Sequence, residues 1–478
     1  MFVLCYVRAV SVTHILVQRG VGVAVTQGSV FSWSHIDDAS DLDRLRMIMQ
    51  SMPDEELMQS IEGARGKGRD DYPVRPVWNS ILAGIVFGHA SIESLRRELL
   101  RNGELRHLCG FDPLKGITAV PPAWAYTRFL KQLLRRRASV GAMFDKLVED
   151  LRDLLPVFGR SLAIDSKAID SYGNPTGKEA PDCRRDTDAD WGTKTYKGKR
   201  KDGSLWEKTK RWFGYKLHLL VDSTHELPVA FEVTRASASD TNRLLPLIQR
   251  TKERHPGLIR DCEELSGDKG YDSTDNNSDL FDEHQIKPII DIRNMWKDAD
   301  CAEDGTRLLY PDRADNIVYD YKGTVSCVCP ATGEKRQMVY YGFERDRGTI
   351  KYRCPAAYAG FDCVGRSRCH KGDGDYGRAL RIPLETDRRI FTPLARSGKN
   401  WQDKYKKRTA VERVNSRLDV SFGFELHTIR GFAKMELRVG LALVVMLAMA
   451  VGSIRDRQAY RMRSLVWSVK EKRLKTAA

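Results

Sequence analysis

GYKLHLLVDSTHELPVAFEVT, Gly214 to Thr234, carries the clearest pattern in the chain. Tyr215, Leu217, Leu219 and Val221 alternate with Lys216, His218 and Leu220, the period of a strand with a buried face. STHELP makes a turn and VAFEVT returns, so the stretch predicts a β-hairpin. Upstream, SLAIDSKAID (Ser161 to Asp170) is short, apolar and β-branched, with Asp165 near its centre. A carboxylate inside an apolar strand is costly unless a metal or an arginine compensates it. Downstream, Asp240 is placed to cap a helix through Leu244, Leu247 and Ile248. ELSGD is a short strand ending at Asp268, followed by Lys269-Gly270-Tyr271. A carboxylate at a strand's carboxyl end, followed by glycine, is where α/β folds place ligands. DSTDNNSDLFDEHQI then predicts a helix and KPIIDI another strand. The order strand, hairpin, helix, strand, helix, strand implies an α/β fold, a mixed sheet covered by helices.

Outward from this core, WQDKYKKRTAVERVNSRLDVSFGF (Trp401 to Phe424) predicts one amphipathic helix. Val411, Val414 and Leu418 form its apolar stripe. Tyr405, Arg408, Glu412 and Asp419 share the neighbouring face. A carboxylate for a metal, a guanidinium for a phosphate and an aromatic ring for a base or sugar suit phosphodiester chemistry. A solvated Arg–Glu pair is the plain alternative. From Ser40 to Pro156 the pattern is helical. Ser91 is placed to cap a helix with Ile92, Leu95 and Leu99 on one stripe, and WAYTRFLKQLLRRRAS ends in Arg135, Arg136 and Arg137. Short helices with a basic finish are compatible with a helix-turn-helix DNA reader; a helical bundle with solvated arginines is the alternative. The apolar run Val439 to Val451 is short for a bilayer span and predicts a buried helix.

The 478 residues hold 79 Lys and Arg against 64 Asp and Glu, a formal charge of +15, which favours a polyanionic partner, nucleic acid before membrane. The amino-terminal MFVLCYVRAV lacks the basic start and cleavage site of a signal peptide, so the expected location is cytoplasmic. Residues 173 to 211 form a polar stretch, expected to be a loop, in which Lys and Arg alternate with Tyr196, Trp206 and Trp212 in a manner suited to tracking a nucleic-acid backbone. His218 sits in strand alternation and is expected to be packed or to contact DNA.

Residues 293 to 399 are irregular, with strand-like pieces such as NIVYDY and MVYYGF, and hold six of the ten cysteines, Cys301 to Cys369. That count is too sparse for a secreted disulfide scaffold. Cys329, Cys354, Cys363 and Cys369 offer ligands for a structural zinc, although the only close pair is Cys327-x-Cys329 rather than CxxC; reduced cysteines in packed turns are the alternative.

Several blocks in order, AIDSKAI around Asp165, GYKLHLLVD with LPVAFEVTRASASD, SGDKGYDS around Asp268 and YKKRTAVERVNSRLD around Glu412, resemble a DDE transposase of a bacterial insertion sequence, over roughly residues 70 to 455. The resemblance implies an RNase H-like catalytic fold at 159–292 and 400–455, interrupted by a β-rich insertion at 293–399. Before it stands a helical DNA-binding domain at 39–158 and an unstructured arm at 1–38; after it comes a basic tail at 456–478. It assigns Asp165, Asp268 and Glu412 as catalytic carboxylates that hold Mg²⁺, with Mn²⁺ able to substitute. Two such ions can stabilise the attacking and leaving oxygens of an in-line displacement at phosphorus. Tyr405 and Arg408 match the aromatic and phosphate-binding positions of the glutamate's helix in a subgroup of the family. That subgroup has a lysine where Asp419 stands, a phosphate contact for which Arg417 or Lys434 is the candidate substitute. Lys216, Arg135 and Arg136 are further DNA-contact candidates. The implied partners are element ends and target DNA, bound by a homodimer. A related nuclease that cuts without rejoining, and a retired copy that only binds DNA, are the alternatives. Asp170 and Asp272 rank below the chosen aspartates: Asp170 faces the other side of its strand, and Asp272 lies beyond the strand end.

Overall fold

The hairpin and its flanking segments build one mixed sheet in the computed structural model, which describes residues 41–66, 71–173, 175, 186–200, 202–297, 301–312, 316–369 and 376–463. Its strands are β1 (Ser161–Asp170), β2 (Asp190–Lys199), β3 (Leu205–Asp222), β4 (Leu227–Arg235), β5 (Glu264–Gly267) and β6 (Lys287–Ile290). β3 pairs antiparallel with β2 over its first half and with β4 over its second. β1 runs antiparallel to β3 on one side and parallel to β5 on the other, and β5 runs parallel to β6. The spine β4-β3-β1-β5-β6 is the mixed sheet of an RNase H-like domain, with β1 at its centre. Tyr215, Leu217, Leu219 and Val221 are buried as their alternation predicts, but so are His218 and Leu220, because helices cover both faces. The apolar run lies in a helix, Phe432–Arg455, that packs on β4 and on the helix Arg137–Leu154 and is itself mostly buried in protein.

Helices fill the chain between Glu55 and Leu154. Ser91 caps Ile92–Arg101 by accepting the Ser94 N–H at 3.2 Å, and Leu95 and Leu99 are buried. Ser273 caps Thr274–Asp282 in the same way.

Between β6 and the glutamate's helix the chain forms two small antiparallel sheets. The first is β7 (Thr306–Leu308), β8 (Ile317–Asp320), β9 (Val325–Val328) and β10 (Lys335–Gln337); the second is β11 (Val339–Glu344), β12 (Thr349–Arg353) and β13 (Ala379–Pro383). They share a core that includes Ile317, Val325, Ile350, Tyr352, Ile382 and Phe391. Arg396 joins this insertion to the sheet, donating from Nε to the Ile290 carbonyl at 3.1 Å and from Nη1 to the Ile390 carbonyl at 2.8 Å.

Three expectations need correction. The stretch 173–211 is not a loop over its described later part: β2 and the start of β3 form an exposed two-stranded ribbon. Its described side chains are largely exposed, so no burial alternation marks it, while Thr and Trp supply strand propensity. The stretch 401–424 is two helices, Lys399–Lys406 and Thr409–Ser416, followed by a wide turn at Arg417–Ser421. At the junction the backbone bonds tighten to three-residue spacing, Arg408 N–H to Tyr405 O at 3.0 Å and Val411 N–H to Arg408 O at 3.1 Å. Asp240 makes no capping bond, because its carboxylate is used elsewhere. The arm 1–38 and most of the tail 456–478 lie outside the described residues.

Candidate active site

The register of β1 on β5 pairs Ile164 with Gly267, so Asp165 and Asp268 follow side by side at the next step. Parallel neighbours in register put their side chains on one face about 5 Å apart. Asp165 Oδ1 accepts the Ser166 N–H at 2.7 Å, and Asp268 Oδ1 accepts the Gly270 N–H at 2.8 Å. Gly270 is a glycine for a reason of space: a Cβ there would lie 2.7 Å from Asp268 Oδ1 and 3.5 Å from Asp240 Oδ2. Burial, and next the charge of Asp268, push the Asp165 carboxyl up to about 6, against the pull of Lys194 and Arg408.

Glu412 reaches this pair through Arg408. The guanidinium donates from Nη2 to Glu412 Oε1 at 2.7 Å and stands with Nη1 3.7 Å from Asp165 Oδ2. It also lies 5.7 Å from the Tyr405 ring centre, and Tyr405 stacks on Trp401 at 4.8 Å. Three-residue spacing at the junction aligns Tyr405 with Arg408, since a 3₁₀ turn eclipses i and i+3. The Tyr405 hydroxyl is pushed up to about 12 by burial and then by Asp291. Two contacts fix the helix on the sheet. Val411, Val414 and Leu418 are buried against it, and Lys404 and Lys407 both pair with Glu264 of β5, Lys407 at 3.2 Å. Burial opposes the charge on Glu264, yet Lys404, Ser161 and Lys407 together hold its carboxyl below the usual range.

Sequence reasoning missed a fourth carboxylate. Asp240 accepts from Ser166 Oγ at 2.9 Å and from Lys216 Nζ at 2.9 Å. The buried Tyr271 hydroxyl lies among Asp240, Asp165 and Asp268, and burial, followed by those charges, raises it well above its ordinary range. The clue was Ser166 beside Asp165, whose side chain needed a partner across the sheet.

The remaining candidates divide. Lys216 is spent on Asp240 and the Ala238 carbonyl, and Arg417 is buried against Glu226 and lowered to about 10 by that burial, so neither presents its charge to a phosphate as expected. Arg136 is engaged with Ser60 and Gln132, while Arg135 stays exposed. Asp419, at the lysine position, pairs with Lys167 of β1 at 2.7 Å. His218 is packed, 3.0 Å from Thr234 Oγ1, and burial holds it down to about 4. Asp170 is exposed, and Asp272 is buried against Arg293 and Arg389 at the root of the insertion. Cys329, Cys354, Cys363 and Cys369 line one cavity, with Cys327 beside them.

Among the described residues no three His, Cys, Asp or Glu side chains stand at the spacing of a metal-ligand set. At the carboxylates, a guanidinium supplies the positive charge instead. The donor set is still that of a hard cation: carboxylate oxygens, one of them disfavoured as an anion until a positive charge approaches. Residues 158–448 match the family described as transposase DDE domain. No curated protein and no solved structure matches the chain. With more than half its length in that match, on a mixed sheet that sets two aspartates side by side, this chain belongs to the DDE transposase family.

Proposed function

We propose that the chain binds the terminal inverted repeats of its own element, cuts DNA there and joins the freed ends to target DNA, acting as a homodimer. Asp165, Asp268 and Glu412 are the carboxylates that hold divalent metal, Mg²⁺ with Mn²⁺ as substitute. The observation that carries this reading is the placement of Asp165 beside Asp268, with Arg408 linking them to Glu412. Bound Mg²⁺ supplies Lewis-acid stabilisation to oxygens on the reacting phosphorus. Asp165, nearly buried and held by the Ser166 N–H, keeps one orientation throughout. Arg408 exchanges its carboxylate contacts for a DNA phosphate as strands enter, and Tyr405, braced on Trp401, packs against the end of the element. Water attacks phosphorus and releases a 3′-hydroxyl; that hydroxyl then attacks a target phosphodiester, expelling another 3′-hydroxyl. Exposed Arg135 and the basic ribbon of β2 and β3 follow the flanking backbone, a term that weakens with salt.

The test is incubation of the full chain with duplexes carrying its own element ends, in Mg²⁺ and in EDTA. Joined products that need Mg²⁺ and vanish in Asp268→Ala are expected. Cut ends without joining identify a nuclease, binding without cutting identifies a retired copy, and cleavage at the parental rate by Asp268→Ala overturns the site.

A further inference from the structure

The insertion gathers five thiols at one place. Cys327 lies on β9, and Cys329 follows just after its end. Cys354 ends β12 and opens the short helix Pro355–Ala359; Cys363 follows in a loop, and Cys369 closes the helix Arg366–Cys369. All five line a single cavity of about 310 Å³, and none is in a disulfide. Cys301, the sixth cysteine of the insertion, is not among its lining residues.

The thiols are not packed as small apolar groups. The Cys329 sulfur receives the Thr332 hydroxyl and the backbone N–H groups of Ala331, Thr332 and Gly365, which hold its pKa down to about 7. The Asn316 amide donates to Cys369 Sγ at 3.3 Å. Cys327, by contrast, is raised to about 11, first by burial and then by its neighbours Cys354, Cys369 and Cys363. N–H donors aimed at sulfur are the outer contacts that a metal-bound cysteine receives.

We propose that this cavity is a structural metal site for a soft, tetrahedral cation, zinc first, held by four of the five thiols with Cys329 among them. Soft thiolate donors select zinc over magnesium, and closed four-sulfur sites are structural rather than catalytic. Among the described residues the thiols line the cavity without standing at ligand spacing, so binding would have to draw four of them to sulfur–zinc distances of about 2.3 Å. The ion fastens β9 to the segment after β12, two parts of the insertion that share only a small core. Such small sheets commonly need a metal or disulfide staple. Nothing in this site touches the carboxylates, so it stands or falls independently of the DNA chemistry.

The full chain, purified in reductant without chelator, is expected to carry about one zinc per chain by elemental analysis. Titration with a mercurial should release that zinc in step with thiol modification. Cobalt substituted for zinc should show sulfur-to-cobalt charge-transfer absorption. Cys329→Ser and Cys354→Ser are expected to lose the metal, while Cys109→Ser and Asp165→Ala retain it. Folded parent protein that carries no zinc after supply of excess zinc in reductant overturns the proposal, as does a native disulfide among the five or zinc that leaves with Asp165→Ala. The release and cobalt measurements use the parent chain alone, so they decide even where a serine variant does not fold.

Discussion

The three carboxylates of the site are held in two different ways. Asp165 and Asp268 owe their neighbourhood to backbone register: once β1 lies parallel on β5, no side-chain contact is needed to bring them together. Glu412 owes its place to side chains, namely the Val411, Val414 and Leu418 stripe and the pairing of Lys404 and Lys407 with Glu264. The first mode gives a buried, strained charge, with the Asp165 carboxylate 14% exposed; the second gives an accessible one, Glu412 being 51% exposed. Rigidity resides in the sheet, and the third carboxylate arrives on a helix with a tightened turn at Arg408.

The destabilising way to break this comparison is at Glu264. Replacing it with Gln strips a buried carboxylate of the charge that two lysines share. Removing one partner of a buried pair costs about 3–5 kcal/mol, and the partial exposure of both lysines lowers the expectation to about 2 kcal/mol. Denaturant melts of Glu264→Gln should register that loss. An unchanged midpoint would mean that the apolar stripe alone seats the helix.

How much of this was legible beforehand follows the same division. The hairpin and the strands around Asp165 and Asp268 showed in the sequence because each is a short apolar run bounded by turn residues, a signal that is local. The helix at Trp401 was read as continuous, because both helices and the turn between them keep one apolar stripe; only backbone bonding reveals the tightening at Arg408. Asp240 was misread as a cap because a cap and an inward-facing partner of Ser166 look alike until the strands are assembled. Lys216 and Arg417 looked like surface charges for the same reason: their partners, Asp240 and Glu226, are set by tertiary contacts. The exposed ribbon escaped notice because neither face is buried.

A second experiment addresses the strained half. The folded-state pKa of Asp165, about 6, lies above the unfolded value of about 3.9. Its ionisation therefore costs the native state stability, which is full below pH 4, falls as the pH rises toward 6 and is flat above. The whole effect is roughly 2–3 kcal/mol at about 1.4 kcal/mol per pKa unit. Asp165→Asn should thus melt later than the parent at pH 7.5 in EDTA, and the two should converge near pH 4. Under the proposed function the gain in stability should accompany loss of cleavage, the trade expected where a site is built for function. Equal melting of the two proteins at pH 7.5 would show that register does not strain this carboxylate.

Glu412→Gln should do least to the fold. The side chain is half exposed, and its pairing with Arg408 is an i, i+4 contact of the kind that contributes about 0.3–0.5 kcal/mol. A melting change within about 0.5 kcal/mol is expected, with no pH dependence beyond that of the parent. Its effect belongs to the released arginine: without Glu412 to hold Nη2, Arg408 turns wholly to Asp165, only 3.7 Å away. Asp165 should then titrate lower in Glu412→Gln than in the parent, and the fall in stability between pH 4 and 6 should shrink. An NMR titration of the Asp165 carboxyl carbon distinguishes this from a simple loss of charge, since removal of Glu412 without movement of Arg408 would change the Asp165 midpoint far less. A gain in stability at pH 7.5 as large as that of Asp165→Asn instead would place Glu412 in the same class as Asp165, and the division between register-held and side-chain-held carboxylates would fail.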